Sequence, residues 1–274
     1  MCARINGRVV IKIGTSSIVN NENFASVDFY KIKKIVEPVA QLRQRGKDLI
    51  LVASGAVAAG MEELQMKQRP KLLDELQAVA AVGQPLLIDA YRQLFQQESM
   101  YLAQILLTKD DIADTTRQNN IRHTIDQLLK NNIVPIINEN DTVATEELTF
   151  GDNDKLAALV ASTIDASKLY LFSDVDGLYD IPPNKQGLKS SAKLITRVDG
   201  VSKLDEVEKF IQIGADSGSL GTGGMRTKLQ AARIAIEAGI ECHIANTDKM
   251  HGVFFEETVH TQIFPIHDEV PHEV

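Results

Sequence analysis

An α/β fold on a mainly parallel sheet, covered by helices on both faces, is the class this sequence predicts. Three observations carry that prediction. Six short apolar runs, at 9–13, 49–52, 102–107, 133–137, 169–172 and 240–245, are continuous rather than alternating, as strands buried on both faces are. Stretches with helical periodicity stand between most of them, so crossovers join the strands and the strands run parallel. Polar residues gather directly behind four of the runs, where open parallel sheets keep their ligands.

The first run, Val9-Val10-Ile11, is interrupted by Lys12 and is too short for the apolar core of a secretory signal. Behind it Phe29, Ile32, Val36 and Val39 recur at three- and four-residue spacing, which predicts a helix with Gly46 at its end. Pro38 lies inside that helix, where a kink or an early stop is expected. The weakly polar stretch 49–61 holds the second strand and is too short to cross a membrane. After the strands at 102–107 and 133–137, Leu156, Leu159, Val160 and Thr163 form a second helical face. Beyond the strand at 169–172, the polar stretch 182–191 reads as a hairpin or a mobile flap. Met225, Leu229, Ala232 and Ile236 form a third helical face, closed by Gly239 ahead of the last run. No repeat, low-complexity tract or Gly/Ser linker divides the chain. One domain over 1–260 is expected, with 261–274 as a C-terminal tail whose His267 and His272 are not expected to hold a metal.

The 274 residues are 44% hydrophobic and 24% charged, the composition of an ordinary globular protein with a sizeable core. Twenty-nine Lys and Arg against 37 Asp and Glu leave a formal charge of −8. That balance lacks the basic field of non-specific nucleic-acid binding, so no nucleic-acid partner is expected. Two cysteines, Cys2 and Cys242, make neither a disulfide framework nor a Cys-rich zinc site. A cytoplasmic protein with no membrane partner is the expectation.

Four polar clusters follow four strands. Lys12, Gly14, Thr15 and Ser16 follow the first, and Ser54, Gly55 and Ala56 the second. Asn138, Glu139, Asn140 and Asp141 follow 133–137, and Ser173, Asp174, Asp176 and Gly177 follow 169–172. On one sheet edge they describe a single cleft. A lone buried lysine costs several kcal/mol unless it meets a counter-charge. Lys12 therefore either reaches solvent at its strand end or serves a ligand, and Gly14 beside it favours the ligand. Gly151-Asp152-Asn153-Asp154-Lys155 opens the apolar helix, where Asp and Asn suit an N-cap and the first turn. Capping and ligand binding are compatible there. Asp174-Val175-Asp176-Gly177 shares part of a calcium loop, but the other ligand positions and the terminal Glu are missing. A turn that touches a nucleotide is the better reading.

Gly221-Thr222-Gly223-Gly224-Met225-Arg226-Thr227-Lys228 runs into the third helix. Glycines let backbone N–H groups approach an anion, the helix N-terminus adds partial positive charge, and Lys228 can neutralise phosphate. The segment is not a P-loop, because Thr227 stands where Gly must precede the lysine. Nor is it a dinucleotide fingerprint, because Arg226 occupies the place of the third Gly. Alone, it also fits a flexible turn before an ordinary helix.

Taken in order, Val10-Ile11-Lys12-Ile13-Gly14-Thr15-Ser16, Ala53-Ser54-Gly55-Ala56, Ala81-Val82-Gly83-Gln84, Ile136-Ile137-Asn138-Glu139-Asn140-Asp141, Gly151-Asp152-Asn153-Asp154 and the segment ending at Lys228 carry a resemblance. The sequence resembles the amino acid kinase family, in its glutamate-phosphorylating branch. The resemblance implies an α/β three-layer αβα sandwich with a mainly parallel central sheet. It implies transfer of the ATP γ-phosphoryl group to the side-chain carboxylate of L-glutamate, the step that opens proline biosynthesis. By the same resemblance Lys12 and Lys228 stabilise the transferring phosphoryl group and Asp154 holds them. Ser54, Asp141 and Asn153 bind glutamate. Lys12, Gly14, Ser173, Asp174, Thr222, Gly223, Gly224, Met225, Arg226, Thr227 and Lys228 bind the nucleotide. Mg²⁺ is expected to be held mainly through ATP, without a protein metal motif. L-proline is expected as a feedback inhibitor, with 115–120 covering the glutamate pocket, and the enzyme is expected to be a homo-oligomer. Relatives often have Thr where Ser173 stands, which keeps the hydroxyl. Longer relatives carry a C-terminal RNA-binding-like (PUA) domain, for which this chain is expected to be too short. The rivals are another carboxylate or phosphate kinase of the same fold, and a non-catalytic ligand sensor, against which the intact lysine pair argues.

Overall fold

The computed structural model describes residues 7–20, 26–144, 153–180, 192–215 and 222–265. Strand β1, Arg8–Ile13, is buried at every position. A two-stranded ribbon, β2 at Val19–Asn20 and β3 at Ser26–Val27, leads into helix α1, Phe29–Gln44. Asp28 caps α1 by accepting from the backbone N–H groups of Tyr30 and Lys31. The helix does not stop at Pro38. Ile32, Ile35, Val36 and Val39 are buried along it, at about 1.5–3 kcal/mol each for a large side chain. Together they outweigh the roughly 3 kcal/mol of an interior proline. Gly46 follows the helix end in the left-handed region, at φ +83°.

Strand β4, Asp48–Val52, precedes α2, Ala56–Glu63, and the long α3, Leu73–Gln97. Next come β5, Tyr101–Leu107, α4, Lys109–Ala113, α5, Thr115–Lys130, and β6, Ile133–Glu139. Helix α6, Asn153–Thr163, leads to β7, Lys168–Ser173. The antiparallel pair β8, Leu178–Tyr179, and β9, Leu194–Ile195, flanks the stretch 182–191, which lies outside the described residues. Strand β10, Arg197–Asp199, helices α7, Gly200–Ala215, and α8, Thr222–Glu237, then strand β11, Glu241–Asn246, follow. Helix α9, Met250–Phe255, and strand β12, Thr261–Phe264, come last. The six apolar runs of the sequence are thus β1, β4, β5, β6, β7 and β11, but β5, expected to be buried on both faces, is an edge strand buried only at Leu107.

The main sheet runs β10-β12-β11-β7-β1-β4-β6-β5, and every neighbouring pair is parallel except β11 with β12. Alternation along the strands sorts the core into two layers. Val10, Val52, Leu171 and Ile244 pack with α5, α6, α7 and α8 on one face. Ile11, Leu51, Phe172 and Ala245 pack with α1, α2, α3 and α9 on the other. This is the three-layer sandwich that the resemblance implies. β1 lies at its heart, so Lys12 stands opposite Val52 on one side and Leu171 on the other.

The domain boundary expected at 260 is corrected by β12, which lies inside the sheet between β11 and β10. Thr261 is fully buried, and its hydroxyl accepts from the Leu178 N–H (2.8 Å) and donates to the Ile195 carbonyl (2.6 Å). A strand so placed is not part of a tail. Thr261-Gln262-Ile263-Phe264 alternates instead of forming an apolar run, because it is only partly covered. Residues 266–274, with His267 and His272, lie outside the described residues. Among the described residues no helix is long and apolar enough to cross a membrane.

Candidate active site

A cleft of about 540 Å³ opens at the carboxyl ends of β1, β4, β6 and β7. All four polar clusters reach it: Lys12 and Gly14, Ser54 and Gly55, Asn138 and Asp141, Ser173 and Asp174 all line it. The single cleft expected from strand-end chemistry is therefore present.

Asp154 organises one wall. It sits in the first turn of α6, where the helix dipole favours a carboxylate, and it is fully buried. Its Oδ1 lies 2.6 Å from Lys12 Nζ of β1, and its Oδ2 2.9 Å from Lys228 Nζ of α8. Thr227 donates from its hydroxyl to the same Oδ2 at 3.2 Å. Lys12 is only 2% exposed, so it does not snorkel to solvent; the carboxylate answers its burial. Lys12, Asp154 and Lys228, distant in sequence, thus meet at one point.

Asn153 anchors a second set of contacts. Its amide nitrogen lies 2.5 Å from the Ala53 carbonyl, 2.7 Å from Asn138 Oδ1 and 3.0 Å from Ser54 Oγ. Asn138 in turn donates from Nδ2 to Gln84 Oε1 at 2.7 Å. One polar network thereby fixes the ends of β4 and β6, the start of α6, and α3. Gly55, at φ +118°, turns the chain from β4 into α2, and a Cβ there would stand 2.7 Å from Ile18 Cδ1. Asp141 lines the cleft beyond β6; burial raises its carboxyl above the ordinary value, and the positive charge of Arg69 works the other way.

On the β7 side, the Ser173 hydroxyl is buried without a hydrogen-bond partner among the described residues. Its carbonyl accepts from the Thr247 hydroxyl at 3.1 Å. Asp174 lines the cleft, whereas Asp176 pairs with Lys249 at 3.0 Å and accepts from Asn246 at 3.1 Å. Gly14 presents an open face: a Cβ there would meet nothing closer than 3.5 Å, with Lys12 Nζ at 3.8 Å. A Cβ on Gly224 would meet nothing within 4 Å. Thr222 and Gly223 open α8. Met225 packs on the apolar core and Arg226 is exposed; neither lines the cleft. The segment 115–120 forms the first turns of α5, where Gln118 bonds Thr163, and does not line the cleft either.

Sequence reasoning missed the α3 wall of the cleft, made of Arg69, Leu73, Leu76 and Gln77. No pattern marks these residues, because a side chain on a connection or a helix face shows its cleft only once the helix is placed. Gln84 was marked by its place beside Gly83 in a matching segment.

Residues 7–246 match the amino acid kinase family. The chain is 45% identical to glutamate 5-kinase of Clostridium acetobutylicum over 90% of its own length and 89% of that protein. It is 43% identical to glutamate 5-kinase of Thermoanaerobacter pseudethanolicus over 87% of its length, and there it spans only 62% of the relative. In fold it is similar to carbamate kinase from Giardia lamblia bound to AMP-PNP (TM-score 0.68, 15% identity, 96% of this chain and 100% of that one). UMP kinase from Bacillus anthracis is a further structural neighbour (TM-score 0.61, 15% identity, 95% and 97%).

Proposed function

The chain belongs to the amino acid kinase family, and on that premise we propose that it transfers the γ-phosphoryl group of ATP to the side-chain carboxylate of L-glutamate. The product is L-glutamyl 5-phosphate, and the step opens proline biosynthesis. The observation that carries this reading is the pair of buried lysines held by Asp154 at the edge of a cleft with polar acceptor groups. The relatives named glutamate 5-kinase supply the acceptor.

A carboxylate oxygen attacks the γ-phosphorus, and the bond to the β–γ bridging oxygen breaks, leaving its electron pair on ADP. The acceptor is already ionised, so no general base is required. What remains is positioning and charge stabilisation. Lys12 and Lys228 meet the charge on the transferring phosphoryl oxygens, and Asp154 keeps both ammonium groups in place. Ser54, Asn153 and Asp141 hold the acceptor, with Asp141 taking its α-ammonium. Gly14 and Gly224 leave room for phosphate oxygens, and the Ser173 hydroxyl and Asp174 face the nucleotide together with Gly224 and Lys228 in the first turns of α8. Mg²⁺, when bound with ATP, would neutralise phosphate charge; the cleft carboxylates Glu139 and Asp174 suit water-mediated contact with such an ion better than direct capture, since among the described residues no cluster of metal ligands forms.

L-proline shares the α-amino and α-carboxyl groups of glutamate and competes for the same subsite. The enzyme works in the cytoplasm as a homo-oligomer. ADP release with L-glutamate, L-aspartate, N-acetyl-L-glutamate, carbamate and UMP tests the reading. L-glutamate alone should support turnover at low concentration. Turnover with another acceptor and none with glutamate would move the chain to a different kinase, and no turnover with any would make it a sensor. Rates unaffected by millimolar proline at low glutamate would remove the inhibitor.

A further inference from the structure

Three cationic side chains line the cleft: Lys12, Lys228 and Arg69. Asp154 engages both lysines. Arg69 stands on the connection between α2 and α3, close enough for its charge to act on Asp141. Among the described residues neither Arg69 nor Asp141 forms a hydrogen bond or an ion pair. The wall therefore offers one cation and one anion, near each other but not joined. A zwitterionic amino-acid head has the complementary pair of charges.

The neighbouring amides narrow the choice of partner for a carboxylate. Asn153 and Asn138 commit their amide nitrogens to protein acceptors, and Gln77 donates from Nε2 to the Ala144 carbonyl at 2.7 Å. Arg69 is the side-chain cation left for that task. Its backbone is restrained as well. It precedes Pro70, which disfavours helical geometry for it, and Pro70 is itself buried. Leu73 and Leu76, one and two turns further on, give the same wall an apolar surface suited to methylene groups.

We propose that Arg69 is the specificity-determining residue of the acceptor subsite, where its guanidinium takes the α-carboxylate of the amino acid while Asp141 takes the α-ammonium. The inference rests on the proposed transfer to L-glutamate. It makes the subsite selective for α-amino acids over simple γ-amino carboxylates. The planar fork of Arg binds a carboxylate through two parallel hydrogen bonds, which a lysine cannot reproduce.

The probe is 4-aminobutyrate, which keeps the reacting carboxylate and the amine but lacks the α-carboxylate. Calorimetric titration of wild type, Arg69→Ala and Arg69→Lys with L-glutamate and with 4-aminobutyrate is set beside initial rates. Loss of a charge-assisted contact should weaken L-glutamate by roughly 10- to 100-fold in Arg69→Ala. Binding of 4-aminobutyrate should hardly change, and Arg69→Lys should recover only part of the loss. The KM for glutamate should rise far more than kcat falls. Arg69 is exposed, so the variants should keep the wild-type thermal midpoint. Equal weakening of both ligands, or of neither, would overturn the assignment of Arg69 while leaving the glutamate reaction intact. Wild-type protein that neither binds nor phosphorylates L-glutamate would overturn the reaction and, with it, the assignment.

Discussion

Burial works to keep the Asp141 carboxyl neutral, and the charge of Arg69 acts against it. Its carboxyl is therefore raised above the ordinary 3.8, and it must ionise before it can hold an ammonium group. As pH falls through that raised value, affinity for glutamate should drop. Asp141→Asn should weaken this dependence, leaving the part that belongs to glutamate's own side-chain carboxyl, and reduce kcat/KM for L-glutamate by about 1–3 kcal/mol of lost contact. The same substitution should narrow the preference for L-glutamate over N-acetyl-L-glutamate, whose amide carries no ammonium. Equal preference in wild type and variant would detach Asp141 from the α-amino group. Lys12 was legible in the sequence because it breaks a local expectation by interrupting an apolar strand. Asp154 suits the first turn of its helix, and its role came only with the resemblance. Lys228 follows a glycine cluster. Arg69 and Gln77 break no such expectation, since charged and amide side chains are ordinary on connections and helix surfaces.

Helices α2 and α3 carry the acceptor wall, and their separation is set by glycine. A Cβ on Gly83 would stand 1.9 Å from the Ala56 carbonyl oxygen and 2.2 Å from the Gly60 nitrogen. Both obstacles are backbone, so the helices must part. Gly83→Ala should cost about 1–3 kcal/mol or more and lower the thermal midpoint. It should also raise the KM for glutamate, since Gln84, the next residue, supports Asn138; an unchanged midpoint and KM would show that the helices yield freely. At the other end of the sheet, β11 begins with Glu241, whose charge burial opposes. His243 at 2.9 Å and Lys168 at 3.0 Å outweigh that effect and hold its carboxyl down at about 2. A carboxyl lowered from 4.5 stabilises the fold above that pH, and the contribution is lost as pH falls toward about 2. Glu241→Gln should therefore flatten the decline in stability across this window, measured by denaturant midpoint against pH; an equally steep decline would place the acid sensitivity elsewhere. The buried strands declare themselves in sequence because both faces are covered. The long α3 is harder to read, since Gly83 and Pro85 interrupt its middle, and β12 because its four residues alternate.

At the scale of the whole molecule, a parallel sheet brings four strand ends to one edge, and two helices approach that edge with their N-termini. Residue 12, residue 154 and residue 228 can meet only because β1 is central and because α6 and α8 pack on the same face of it. That face explains why the class of fold, the cleft and its charged corner follow from the sequence, while the acceptor wall depends on how α3 is laid across the opposite face. Steady-state kinetics of Lys12→Ala and Lys228→Ala, beside their thermal midpoints, decide whether the corner performs the transfer. Each variant leaves Asp154 one lysine partner, so each should fold with a lowered midpoint. Each should lose about 10²–10³ in kcat with little change in the KM for glutamate, and Lys→Arg should restore little of it, because a planar fork does not fill the place of a compact ammonium. A folded Lys12→Ala enzyme that turns over glutamate at close to the wild-type rate would contradict the mechanism.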